Sequence, residues 1–240
     1  MRLIFIRHGE PDYEKKSLTP KGFREAELLG PYIPELKGNY FYVSPQGRAK
    51  HTAETALKGT GIEPVELDFL HEFRGKMVRP HENELKNCWD WMPADWTREP
   101  LFFTHDRWGE AKGIEGTNIK AEYDRVTACF DELLKKHGYE RDGYLYKAVR
   151  PNHDTLVFFC HYAITAVFLS HLLNISPWLI WAGTVAKCSS VTELATEERQ
   201  EGIAYFRMNS FGDVTHLHDG GEEPSFWARF CECYTDETRH

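Results

Sequence analysis

Leu3-Ile4-Phe5-Ile6-Arg7-His8-Gly9-Glu10 carries an unbroken apolar tetrad straight into an arginine and a histidine. An apolar run without alternation is the pattern of a strand buried on both faces, as in a parallel sheet covered by helices. Open α/β sheets bind ligands outside the carboxyl ends of their strands, which is where Arg7 and His8 stand. Gly9 then allows the backbone a tight exit. Taken alone, the triplet also fits a strand followed by a polar turn, so the neighbouring segments have to decide.

Working outward, the same arrangement recurs. Thr155-Leu156-Val157-Phe158-Phe159-Cys160 is a second buried-strand pattern, and it leads into His161 and an apolar helix over Ala163 to Leu173. Phe41-Tyr42-Val43 runs into Ser44-Pro45-Gln46-Gly47-Arg48-Ala49 and a helix through Leu57. An arginine in the first turn of a helix, near the positive end of its dipole, makes most sense where an anion binds. Thr19 and Pro20 cap and start another helix, which carries Phe23, Ala26, Leu28 and Leu29 and stops at Gly30-Pro31. Val65 to Leu70 alternates like a strand and delivers Glu72 at its end. A helix is expected over Ile119 to Lys136, ending at Gly138, and a small edge strand or hairpin arm over Tyr144 to Val149. Cys188 to Thr196 and Ile203 to Asn209 read as antiparallel strands, and Asp213 to His218 as a short one. The tail from Glu222 either docks or stays free. Strand and helix alternate throughout, which predicts an α/β fold: a three-layer αβα sandwich on a mostly parallel central sheet.

Residues 77–117 break the rhythm. They hold Trp89, Trp91, Trp96 and Trp108, four of the seven tryptophans, with Pro80, Pro93 and Pro100 as breakers. Connections of such length in a compact domain are usually lids or binding loops. A cap insertion over a phosphate pocket is therefore expected here, with Trp89, Trp91 and Trp96 as substrate-binding candidates. A cap packed by its own aromatic cluster is the alternative.

Composition narrows the classes. At 240 residues a single domain over 1–240 suffices, and 28% charged with 41% hydrophobic residues is globular rather than disordered. The net charge of −8, with no basic run, argues against a nucleic-acid partner. There is no basic segment followed by a long apolar core, and the longest apolar stretches fall short of a membrane span. Six scattered cysteines read as reduced thiols, so a cytoplasmic protein without membrane partner is expected. Cys231-x-Cys233 lacks a second close pair for zinc, and His216-x-His218 lacks a third ligand. No metal and no cofactor is expected.

Arg7-His8-Gly9-Glu10, Ser44-Pro45-x-x-Arg48-Ala49-x-x-Thr52-Ala53, Leu70-x-Glu72 and a late strand ending in His161 together resemble the histidine phosphatase superfamily, the phosphoglycerate-mutase-like fold. The resemblance spans nearly the whole chain in the expected order. It implies that His8 is the phosphoryl acceptor, that Arg7, Arg48 and His161 form the phosphate pocket, and that Glu72 is the proton donor. Two departures stand out. Pro11-Asp12-Tyr13-Glu14 follows the first motif where many members have a small polar residue and then asparagine, so Tyr13 is a substitute contact. Tyr162-Ala163 follows the late histidine where glycines are common, which makes Tyr162 another candidate for substrate binding.

Those residue types suit phosphoryl transfer on physical grounds. Transfer is helped mainly by positioning and by fixed positive groups around the non-bridging oxygens. Arginines supply permanently charged planar forks. The nucleophile must be a neutral imidazole whose second nitrogen holds its proton against an acceptor, and flanking arginines disfavour imidazolium. His161 suits a charged donor to the phosphate. Glu72 should be partly buried to carry a proton to the leaving alkoxide. Glu10, Asp12 and Glu84 are carboxylates that compete for that role, and Arg74 is positioned in sequence to pair with Glu72. The expected activity is hydrolysis of a small phosphorylated metabolite through phosphohistidine. A phosphomutase and a non-catalytic phospholigand-binding module are the alternatives. Oligomeric state does not follow from the sequence, and a homodimer stays open.

Overall fold

Arg2–Arg7 forms strand β1 near the middle of an eight-stranded sheet in the computed structural model of the chain, which describes residues 1–80, 82–227 and 229–238. The other strands are β2 (Tyr40–Val43), β3 (Val65–Glu66), β4 (Tyr139–Asp142), β5 (Leu145–Ala148), β6 (Thr155–Cys160), β7 (Val191–Gln200) and β8 (Ile203–Asp213). Their order is β3-β2-β6-β1-β7-β8-β5-β4. From β3 to β1 all pairings are parallel; from β1 to β4 all are antiparallel. The parallel character is thus concentrated in the half that begins with the quoted stretch.

Alternate side chains of these strands feed two cores. Ile4, Ile6, Phe41, Val43, Val157 and Phe159 pack on α1 (Pro20–Leu29) and α2 (Gly47–Ala56) through Leu29, Ala53 and Ala56. Leu3, Phe5, Tyr42, Leu156 and Phe158 face the other way, onto α3 (Ile119–Lys136) and α4 (Tyr162–Leu173) through Phe130 and Phe168. This is why the strands read as continuous apolar runs, and it makes the three layers. Phe5 stacks on Phe158 at 5.0 Å and Phe130 on Phe168 at 4.3 Å. Each such ring contributes roughly 1.5–3 kcal/mol by leaving water.

The α1 helix starts as its sequence dictates, with the Thr19 side chain accepting from the Gly22 amide at 3.0 Å and Pro20 at its first position. Three segments differ from expectation. The alternating stretch after Val65 is strand only to Glu66; a 3₁₀ turn over Asp68–Leu70 follows, because β3 is the sheet edge and the turn lets Leu70 bury completely. Asp213 to His218 is not a strand beyond Asp213 but the helix α6 (Thr215–Asp219), numbered after α5 (Pro177–Gly183). There the Leu217 amide donates to the Val214 carbonyl at 2.9 Å in a helical turn that buries His216 and Leu217 together, and the Asp213 carboxylate accepts from the Thr215 amide. At the start of the 77–117 segment Lys76–Val78 pairs antiparallel with Leu85–Asn87, and short helical turns follow. Among the described residues no helix is long and apolar enough to cross a membrane.

Candidate active site

Parallel neighbours deliver their carboxyl ends side by side. Arg7 is opposite Cys160 and Phe159 opposite Val43, so the residues just beyond, His8, His161 and Ser44, meet at one edge of the sheet. The rings of His8 and His161 lie 5.1 Å apart. Arg48 enters from the first turn of α2, and His161 is itself the N-cap residue of α4, so two helix N-termini open onto the same place.

His8 is buried, and its Nδ1 lies 2.7 Å from the carbonyl oxygen of Gly9. A carbonyl only accepts, so Nδ1 carries the proton and Nε2 the free lone pair. Burial holds the His8 pKa well below the ordinary histidine value, and Arg7 and Arg48 lower it further. The His8 imidazole is thereby kept neutral, more by desolvation than by the arginines. Gly9 is required for a reason other than the expected tight exit. A Cβ there would sit 2.5 Å from the Gly22 carbonyl oxygen, so the loop crosses α1 at backbone contact. Thr52 locks this loop to α2: its hydroxyl accepts from the Gly9 amide at 3.0 Å and donates to the Arg48 carbonyl at 2.7 Å.

Arg7 is buried and donates through Nη1 to the Ala186 carbonyl. Arg48 donates to Gln46 Oε1 at 3.3 Å, and the same oxygen accepts from the Glu72 amide at 2.8 Å. Three buried nitrogens in this cluster, Nε of Arg7, Nε of Arg48 and Nδ1 of His161, find no acceptor in the protein. Buried polar atoms left unmatched are costly, and an anion bound among these residues would supply oxygens to those that carry N–H. His161 Nε2 lies 2.8 Å from the Ser44 hydroxyl. Its pKa is well below the ordinary value, through burial first and then Arg48, His8 and Arg7. Burial first, and the neighbouring arginines second, thus disfavour in the free protein the charged form of His161 that the sequence suggested.

Glu72 lies at the N-terminus of α4. Its Oε1 accepts from the Phe73 and Ile164 amides, each at 3.0 Å. Burial raises its pKa above the ordinary carboxylate value, against the opposing pull of Arg48, the two amides and Arg7. With Oε1 taken, Oε2 is the oxygen that can hold and deliver a proton. The competing carboxylates are engaged elsewhere. Glu10 accepts from Thr19 Oγ1 and Ser225 Oγ, Asp12 pairs with Lys15, and Glu84 pairs with Lys86 at the surface.

Of the remaining candidates, Tyr13 stands beside the arginines, with the Arg48 guanidinium carbon 5.5 Å from its ring centre. The Tyr162 hydroxyl is spent on α5, donating to the Thr184 carbonyl at 2.6 Å. Trp89, Trp91 and Trp96 are half-buried and pack on the core. Trp91 meets Phe102 and Trp178 edge-on, and Trp178 meets Trp181, whose ring lies 5.1 Å from that of Phe73 next to Glu72. His216 is buried against the Ser189 hydroxyl at 2.9 Å rather than paired with His218. Among the described residues no group of three or more His, Cys, Asp or Glu is placed to hold a metal. Roles for Gln46, Ile164 and Ala186 were not legible in the sequence. Ile164 and Ala186 act through backbone groups, which any residue could supply.

The sequence profile described as histidine phosphatase superfamily (branch 1) matches residues 3–208. A Hydrogenobacter thermophilus protein, to which phosphoserine phosphatase activity is assigned by name only, is 30% identical over 115 residues, covering 42% of this chain and 54% of that relative. The match thus spans about half the length of that curated relative. A phosphoserine phosphatase mutant from Entamoeba histolytica, solved with phosphoserine, superposes with a TM-score of 0.59 at 18% identity, covering 90% of this chain and 98% of that one. A mycobacterial glucosyl-3-phosphoglycerate phosphatase solved with VO3 gives 0.56 at 16% identity, with 88% and 98% covered. At these identities the two structures are alike in fold.

Proposed function

The chain belongs to the histidine phosphatase superfamily, and from that premise we propose that it hydrolyses the phosphomonoester of a small metabolite through a phosphohistidine. His8 Nε2 attacks phosphorus as the bond to the ester oxygen breaks. Arg7, Arg48 and the His161 N–H hold the non-bridging oxygens, where charge must be stabilised. Glu72 Oε2 gives its proton to the departing alkoxide. Water then attacks the phosphohistidine, Glu72 takes the water's proton, and inorganic phosphate leaves with His8 restored. The observation that carries this reading is the bond from His8 Nδ1 to the Gly9 carbonyl, which leaves Nε2 as the nucleophile. The relative solved with phosphoserine supports a small phosphorylated substrate as the class. The segment 77–117 enters as support for the Glu72 loop, acting on substrate through Glu72 rather than by direct ring contact.

The cycle needs no metal, since its charge is met by side chains. The test is a rapid-quench experiment with labelled phosphoserine and an aryl phosphate in the presence of chelator. Expected are turnover and acid-labile label on the wild-type chain, and in His8→Ala no label with turnover lower by at least about 10⁴-fold. Label persisting in His8→Ala, or activity lost to chelator and restored by a divalent ion, overturns the assignment.

A further inference from the structure

The segment after α6 is tied to the catalytic loop. Glu25 of α1 is completely buried, and its two carboxylate oxygens accept from the Glu10 amide at 2.7 Å and the Ser225 amide at 3.1 Å. The Ser225 hydroxyl donates to Glu10, two residues after His8, and Lys21 of α1 pairs with Glu222. A buried carboxylate without donors would be heavily penalised, so these amides and the tail stand or fall together. The consequence is the placement of Trp227. Its ring lies 5.5 Å from that of Tyr13 at 45°, and Tyr13 in turn lies against the Arg48 guanidinium. Both rings stay open, Tyr13 at 56% and Trp227 at 43% exposure.

From these contacts we infer that Tyr13 and Trp227 form an aromatic subsite beside Arg48 that binds the organic part of the substrate, and that the preferred esters have a flat, apolar or aromatic alcohol portion. The inference rests on the phosphatase reading above. The Tyr13 ring centre lies 5.5 Å from the Arg48 guanidinium carbon, within reach of the organic part of an ester whose phosphate Arg48 holds. What they offer is ring face and edge, the surface that stacks flat groups, whereas a small sugar acid calls for further charged donors. The anchors through Glu25 and Glu10 hold the subsite in place before substrate arrives, so little ordering is left to oppose binding.

The test compares 1-naphthyl phosphate with phosphoserine. In the active chain, Trp227→Ala is expected to lower the ratio of their kcat/KM values, naphthyl over serine, by about tenfold, while Trp227→Phe keeps most of the preference. Tyr13→Leu, which removes the neighbouring ring, should lower the same ratio. If the ratio stays within about twofold in both Trp227→Ala and Tyr13→Leu while turnover continues, the subsite falls and the hydrolase reading stands. Calorimetry on the His8→Ala chain gives the other separation. Tighter binding of naphthyl phosphate than of inorganic phosphate, with the margin lost on adding Trp227→Ala, upholds the subsite even if the wild-type chain turns over neither ester.

Discussion

The tryptophan-rich segment at 77–117 and the tail from Glu222 make opposite uses of aromatic rings. In the first, rings find one another: Phe102 stacks on Trp178 at 4.1 Å, Trp91 meets both, and Trp108 lies 4.9 Å from Tyr123. In the second, one tryptophan is set near the Arg48 guanidinium by way of Tyr13, and the contacts that hold the tail there are polar. Density of aromatics along a sequence reports packing, because large rings bury best against each other. Proximity to fixed charge marks a site, and that depends on where the chain returns in space.

Three experiments sharpen or break this contrast. The largest effect is expected at the point where the aromatic cluster touches the chemistry. Glu72→Gln removes the proton that Oε2 delivers, and should slow esters with poor leaving groups by about 10²–10³-fold but those with good ones far less. Equal losses on both, measured across a series of leaving groups, would deny Glu72 the role of acid and leave the cluster with no link to catalysis.

Next in size is Trp91→Ala, which removes a half-buried ring packed edge-on against both Phe102 and Trp178. Denaturant unfolding should show a loss of about 3 kcal/mol, while the ranking among phosphate esters holds. A changed ranking at unchanged stability would make Trp91 a substrate contact and erase the difference between the two regions.

The smallest effect is on the side of the tail. His216 in α6 is neutral when folded, with its pKa drawn down to about 4 from 6.5 by burial. Below pH 6.5 the unfolded chain binds the proton and the folded chain does not, so this group's contribution is complete above 6.5 and is lost as pH falls toward about 4. His8 and His161, both lowered, act in the same direction. Unfolding midpoints should therefore fall as pH is lowered through that window, and His216→Gln should flatten the dependence. A slope unchanged by the substitution would show that α6, and with it the start of the tail, is not held by a neutral His216.

For phosphoryl transfer the contrast extends from walls to floor. The floor was readable because its signals are local. An apolar run ending in Arg7-His8, another ending in His161, and Arg48 one residue into a helix each need only a few consecutive residues to be recognised. Parallel pairing then has to bring them together. The same locality explains α3, where the sequence period and the observed Ile119–Lys136 coincide. Where the local pattern was ambiguous, tertiary contacts overrode it: the edge position of β3 shortened that strand, and burial of both His216 and Leu217 turned the segment after β8 into a helix.

By itself, then, the sequence determined the layering and the carboxyl ends of β1 and β6, and it singled out His8, Arg7, Arg48 and His161 as site candidates, because side-chain periodicity and residue type are properties of short stretches. The tertiary structure alone decided which imidazole nitrogen of His8 is free, that burial disfavours a charged His161, that Gly9 is needed for a backbone crossing, and that Trp227 stands beside Tyr13. Each of these depends on burial, on the local course of the backbone or on a partner distant in sequence. Ser225 and Glu10, whose bond helps seat the tail, lie 215 residues apart. Hydrogen bonds and desolvation act through space over a few ångströms, and no local pattern encodes which remote group will occupy that space.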